Sequence, residues 1–135
     1  RALRLGQPWG LRIAREVGKA LRESDFGGAS HAGEYETALY LALRPDLVQM
    51  DKAVDERSTL SASFQTDLLA GKRADGSVAS LMPWWSSMSE SGVRGDATKA
   101  TREKGEQYLE AAIEGLIELV RELAATDIRP RKDHR

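Results

Sequence analysis

No cysteine occurs in the 135 residues. That excludes disulfides, thiolate metal sites and cysteine nucleophiles, and it agrees with a cytoplasmic setting. An excess of either charge is missing too. Twenty lysines and arginines stand against twenty-one aspartates and glutamates, a formal net charge of −1. Nothing electrostatic therefore draws the chain to nucleic acid or to an anionic membrane. No apolar run approaches the roughly 20 residues of a membrane-spanning helix, and no secretory signal is visible. Internal repeats, a nucleophilic serine motif, a phosphate-binding glycine loop and zinc-finger spacing are all lacking. Histidine is scarce, with His31 and His134 alone.

What remains is ordinary for a globular chain: 41% apolar and 30% charged residues, enough for one domain with a modest core. The sequence begins with Arg1 rather than methionine and is expected to be part of something longer. The spacing of Ile13, Val17 and Leu21 predicts an amphipathic helix over 9–24, entered at Pro8 and left at Gly27-Gly28, with its arginines on a solvated face. A second helix is predicted from Glu34 to just before Pro45. It is apolar nearly all round and is expected to be buried on every side. Asp46 could cap a short turn running to Met50, and residues 51–57 read as a charged linker. Leu60, Ala62 and Phe64 alternate as in a strand, residues 72–76 read as a turn, and 78–85 as an edge piece broken by Pro83. After a loop over 86–96, Tyr108, Ala111, Ala112, Gly115, Leu116, Leu119 and Leu123 mark one stripe of a long helix over 98–125. Residues 129–135 form a charged, flexible tail in which His134 faces solvent.

The densest chemistry lies in His31-Ala32-Gly33-Glu34-Tyr35-Glu36. An imidazole that changes charge near neutral pH, beside carboxylates able to bind a metal or move a proton, makes a candidate active-site corner. It is incomplete, because metal hydrolases generally need three or more protein ligands per ion. At a helix entry His31 could equally cap backbone groups. A buried Glu36 must be paired, hydrogen-bonded or metal-bound, so metal ligation and support of another ligand both stay open. Glu34 is expected to be an exposed helix-start carboxylate, favoured by the helix dipole, and Thr37 to be structural. Of the adjacent Trp84 and Trp85, one ring should meet a neighbouring subunit or line a pocket mouth. Arg94 and Asp96 could ion-pair across their glycine loop. Trp84, Trp85 and Arg94 are also the candidates for substrate contact.

Three blocks of this sequence resemble the creatininase family (creatinine amidohydrolases and relatives). The first is Gly27-Gly28-Ala29-Ser30-His31-Ala32-Gly33-Glu34-Tyr35-Glu36-Thr37, followed by Leu41-Ala42-Leu43-Arg44-Pro45-Asp46-Leu47-Val48. The second is Ser91-Gly92-Val93-Arg94-Gly95-Asp96-Ala97-Thr98, similar to a Gly-Val-x-Gly-Asp-Pro-Thr loop. The third is Ala100-Thr101 with Glu103-Lys104-Gly105 at the start of the last helix. The resemblance implies an α/β fold of three α/β/α layers with a mostly parallel sheet and a metal site at the sheet's carboxyl edge. It implies one or two divalent ions (zinc, manganese or iron), hydrolysis of cyclic amides, formamides and related bonds, and assembly as a homohexamer. In it, His31 matches the family histidine that contacts substrate and protonates the leaving group, and Glu36 matches the motif glutamate, a metal ligand or its support. The family's Glu-x-His, following Asp and Asn-Gly-His metal motifs do not occur here.

The expectation is therefore that residues 1–128 are the carboxyl-terminal portion of a creatininase-like domain, with most metal ligands outside this chain. Its partners would be a small-molecule substrate and either further copies or a chain carrying the amino-terminal half. The chemistry implied is attack of a metal-bound hydroxide on a carbonyl of a small polar cyclic amide, formamide or cyclic polyol ketone. The alternative is a non-catalytic subunit or remnant that serves assembly only.

Overall fold

A computed structural model describes residues 14–57, 66–72 and 83–126. The start of the first predicted helix, the alternation over 60–64, most of the 72–76 turn, residues 78–82 and the tail with His134 lie outside the described residues. Helix α1 (Arg15–Leu21) falls inside the predicted 9–24 span and ends where Arg22 turns extended. Helix α2 (Glu34–Leu43) follows a loop over 22–33, begins after Gly33 in an extended conformation, and stops at Arg44. Pro45 sets that stop, since the residue before a proline resists helical geometry. Two 3-10 turns follow, Pro45–Leu47 and Met50–Lys52. Asp46 does not cap the first of them. Its carboxylate instead pairs with the Arg44 guanidinium at 2.7 Å.

The predicted linker over 51–57 ends in a strand. Strand β1 (Asp55–Glu56) pairs with β4 (Gly95–Asp96), and β2 (Thr66–Asp67) pairs with β3 (Gly71–Lys72). Both ladders are antiparallel, with Asp55 opposite Asp96 and Thr66 opposite Lys72. Among the described residues no parallel pairing occurs, so the mostly parallel sheet that the resemblance implies finds no support in them. A parallel pair needs an extended strand at each end of a crossover, whereas residues 45–52 coil into the two turns. The β2–β3 ladder closes through a tight turn instead, where Asp67 Oδ1 accepts from the backbone N–H of Leu69 (3.0 Å) and Ala70 (2.8 Å). Trp85 opens a further 3-10 turn, Trp85–Ser87, rather than closing an edge strand.

Helix α3 (Arg102–Ala125) begins four residues later than the predicted 98 and is capped by Thr101, whose side chain accepts from the Lys104 N–H. Residues 97–99 form a 3-10 turn in which Asp96 accepts from Thr98 N. The core lies where α2 crosses the first turns of α3. Tyr35 and Tyr108 stack with centroids 4.6 Å apart and planes tilted by 34°, among Ala29, Ala38, Leu69 and Ala100, with Val17, Leu21, Leu39 and Leu41 packed around them. Gly105 sets the crossing distance, because a Cβ there would lie 1.9 Å from the Ala38 carbonyl oxygen.

Neither long helix is covered as its sequence predicts. On α2 the buried residues are Glu34, Tyr35 and Ala38, while Tyr40 and Leu43 are exposed. Of the predicted α3 stripe Tyr108 is buried, Ala111, Ala112, Gly115, Leu119 and Leu123 are half-buried and Leu116 is exposed, while Ile113, Ile117 and Val120 outside it are exposed as well. Among the described residues no helix is long and apolar enough to cross a membrane.

A buried ion pair crosses this core. Glu34, expected on the surface, is fully buried. Its Oε1 lies 2.6 Å from Lys104 Nζ. Its two oxygens also accept from the backbone N–H groups of Glu23 (3.0 Å) and Ser24 (2.9 Å). The ammonium spends its remaining protons on Lys99 O (2.8 Å) and Glu23 Oε1 (2.8 Å). Burial alone would push the Glu34 carboxyl up, but the Lys104 bond and the Glu23 and Ser24 N–H groups outweigh it and hold the group below its ordinary value. Burial would likewise lower the Lys104 ammonium, and Glu23 with Glu34 raises it instead. Every donor and acceptor is used, the condition under which a buried pair is tolerated. A second buried carboxylate, Asp67, accepts from Gly27 N (2.8 Å) and from Arg22 Nη2 (2.9 Å) and so ties the 22–28 loop to the β2–β3 turn.

Glu34→Ala is expected to destabilise the chain by about 3–5 kcal/mol, since it strands Lys104 and two backbone donors. Urea denaturation measures this, and a loss below about 1 kcal/mol, the level of a surface pair, would show that the pair does not hold the fold. Gly105→Ala sets a gain in helix propensity of about 0.5–1 kcal/mol against an overlap with backbone that nothing flexible can relieve. Overpacking of about 1–3 kcal/mol wins, and the melting temperature should fall. A third effect is local and depends on acid. Glu56 accepts from the Ser91 hydroxyl and from the Glu90 N–H at 2.6 Å, which brings its carboxyl down from 4.5 to about 2. A depressed carboxylate stabilises above its unfolded value and loses that contribution as pH falls through the folded one. Exchange protection at the Glu90 and Ser91 amides should therefore persist at pH 5 and vanish between about 4.5 and 2. Protection unchanged across that window would contradict the anchor.

Candidate active site

The loop before α2 is shaped by close backbone approach. Ala32 takes a left-handed φ of 50°, and Gly33 sits so near Gly95 that a Cβ on Gly95 would fall 2.6 Å from the Gly33 Cα. This contact, with Asp96 N donating to Gly28 O at 2.9 Å and Arg94 N to His31 O at 2.9 Å, joins two of the blocks read from the sequence. The glycine loop at 92–96 lies against the histidine loop.

Glu36 occupies the third position of α2, and its Oε2 reaches back to accept from the Ala32 N–H at 2.8 Å. The bond reaches one residue past the N-cap Gly33, whose own N–H goes to Ser30 O at 3.0 Å, so Glu36 ties the loop before the helix rather than closing a capping box. Thr37 Oγ1 donates to Ala32 O at 3.0 Å, the structural part expected of it. Both bonds fix the Glu36 carboxylate beside His31, with Nδ1 3.8 Å from Oε2. That gap is too long for a hydrogen bond and short enough for an ion pair once the imidazole is charged. Both side chains remain partly exposed. They share the rim of two adjoining open hollows. One, of about 320 Å3, is lined further by Tyr40, Leu47, Val48 and Gln49, and the other, of about 580 Å3, by Leu39, Tyr40, Leu43 and Arg44.

The tryptophan pair divides. Trp85 meets the His31 ring edge-on, with centroids 4.8 Å apart and planes at 84°, while Trp84 is 86% exposed. Arg94 places its guanidinium carbon 5.6 Å from the Trp85 ring centre. The expected Arg94–Asp96 ion pair does not form. Asp96 Oδ1 is taken by Thr98, from its N–H at 3.0 Å and its hydroxyl at 2.5 Å. Arg94 is only 8% exposed, and its Nε has no hydrogen-bond partner. A cation–π contact returns about 0.5–2 kcal/mol, while a buried donor left without an acceptor costs about 1–3 kcal/mol, so among the described residues the Arg94 Nε–H is an unmet donor.

Of the sequence-derived residues, His31, Glu36, Trp85 and Arg94 come together, and Trp84 stands apart. Among the described residues no three histidine, aspartate or glutamate side chains gather closely enough to hold a metal. Glu36 offers one free oxygen, which does not amount to a metal centre. Glu34 is the residue that sequence reasoning misplaced. Nothing local marks it, since its partner Lys104 lies 70 positions away.

These features have counterparts in known proteins. A family model described as "Creatininase: Creatinine amidohydrolase" matches residues 4–120. The chain is 32% identical over 92 residues to the creatinine amidohydrolase of Pseudomonas putida, a match covering 68% of this chain and 30% of that protein. It also superposes on the crystal structure of a candidate creatinine amidohydrolase from Bacteroides fragilis, with a TM-score of 0.65, 30% identity, and coverage of 87% of this chain and 43% of that one. The chain thus spans less than half the length of either relative. The family model over residues 4–120, together with these two relatives, shows that this chain belongs to the creatininase family.

Proposed function

We propose that this chain forms one wall of a hydrolase site of the creatininase type, acting on a small polar cyclic amide, formamide or cyclic polyol ketone in the cytoplasm. The observation that carries the reading is the His31–Glu36 pair on the rim of the open hollows, locked by backbone bonds on both sides, in a chain of this family. A divalent ion such as zinc, manganese or iron would be held mostly by residues outside those described, with Glu36 as its one ligand or ligand support here. When bound, such an ion supplies activated water and charge for the oxyanion.

The chain's own residues do the rest. Glu36 faces the Nδ1 side of the imidazole and leaves Nε2 as the edge that meets substrate. Nε2 then delivers a proton to the departing nitrogen or oxygen, which cannot leave as an anion at neutral pH. Trp85 braces the opposite edge of the ring, and Trp84, standing in solvent, is available to close over an occupant or to meet another subunit. The remaining wall would come from further copies of this chain or from a chain carrying the amino-terminal half.

One observation favours a second reading, a subunit serving assembly only. Tyr40 and Leu43 on α2 and Ile113, Leu116, Ile117 and Val120 on α3 present apolar surface to solvent.

The test is hydrolysis of a panel of cyclic amides and formamides by the chain together with any protein that co-purifies with it, with and without His31→Ala. Loss of the proton donor should lower kcat by about 10²- to 10⁴-fold and leave KM nearly unchanged. Undiminished turnover by the variant would remove His31 from the chemistry. Absence of turnover across the panel would favour the assembly reading.

A further inference from the structure

Arg94 sits at the variable position of the Gly92-Val93-Arg94-Gly95-Asp96 loop, between a left-handed glycine (Gly92, φ 91°) and strand β4. Its backbone is bonded to the carbonyl of His31, so this loop cannot move independently of the imidazole. Its side chain is more than nine-tenths buried, with Nε unpartnered. No described carboxylate answers it. Asp96 is engaged by Thr98, Glu36 by the Ala32 N–H, Asp55 by Arg57, and Glu56 by the Glu90 and Ser91 amides. Trp85 is in ring contact with His31 and in cation–π range of this guanidinium.

We propose that Arg94 is a specificity residue of the His31–Glu36 site and recognises a carboxylate or comparable small anion carried by the substrate. The inference rests on the hydrolase reading and narrows it to anionic substrates. A guanidinium offers parallel N–H donors in a fixed fork that matches a carboxylate edge, and burial strengthens the bonds it makes. The indole of Trp85 lies in cation–π range of the fork. A substrate whose scissile amide lies at His31 and whose charged group reaches Arg94 would meet both needs at once. A neutral substrate would leave the Arg94 Nε–H as unpartnered as it is now.

Dihydrouracil and dihydroorotate test this directly, since they are the same cyclic amide without and with a ring carboxylate. Binding of each to the full chain can be followed by NMR at the Arg94 Nε–H and the Trp85 indole, with hydrolysis of both assayed in parallel. Dihydroorotate should bind at least about tenfold tighter and shift the Arg94 Nε–H. Arg94→Gln should erase that preference, and Arg94→Lys, which keeps the charge and guards against a folding artefact, should retain part of it. Equal binding of the two probes, or a preference that survives Arg94→Gln, would overturn the proposal, as would an Arg94 Nε–H already bonded to a carboxylate of a co-purifying chain. Anion preference without hydrolysis of either probe or of the wider amide panel would sink the hydrolase reading and leave Arg94 as an anion site. Hydrolysis of neutral amides with no anion preference would do the reverse.

Discussion

The contact between Glu34 and Lys104 is the constraint on which the other parts depend. It joins the first residue of α2 to the first turn of α3, and through the Glu23 and Ser24 amides it holds the loop that leads back to α1. Two charges removed from water are stable only when every bond they could make with solvent is replaced. Satisfying that demand leaves little freedom in where the two helices start. The start of α2 in turn fixes Ala32, Glu36 and His31, because Glu36 ties the turn that carries the histidine. The geometry of the exposed site is thus inherited from a charge pair buried behind it.

Two glycines carry that constraint forward. Gly105 lets α3 approach the Ala38 carbonyl, and Gly95 lets the 92–96 loop lie on Gly33. With side chains at these points the tyrosine stack and the His31–Arg94 backbone bond could not both persist. What this arrangement does not do is cover its own apolar surface. Exposed leucine, isoleucine and valine along the second half of α3, and tyrosine and leucine along α2, belong to a chain that spans less than half of its relatives' length. An apolar stripe at helical spacing shows only that a face wants burial, not that the same chain buries it.

This explains how much was legible beforehand. Helix α2 and its boundaries follow from Gly33, the apolar run and Pro45, all local signals. The His31–Glu36 pairing also follows, since a helix entry brings residues five apart to one corner. Helix α3 is marked by its periodicity, though Thr101 caps it and it begins at Arg102 rather than at 98. Glu34 and Glu36, two residues apart in one helical turn, were read the other way round, Glu34 as exposed and Glu36 as buried, and only Lys104, distant in sequence, decides that Glu34 is the buried one. The Arg94–Asp96 pair failed for a similar reason: Thr98, two residues beyond the aspartate, offers nearer donors than the guanidinium. Trp85 met His31 across 54 positions, a contact that no spacing rule reveals.

The most direct measurement is a carbon-detected NMR titration of the Glu34 side-chain carboxyl in the folded chain. Salt-bridged to Lys104 and bonded by two backbone amides, it should stay ionised below the pH at which an ordinary glutamate takes up its proton. A Glu34 that protonates at or above the ordinary value would mean that burial outweighs the lysine. The pair could not then be what sets the helices and, through them, the site.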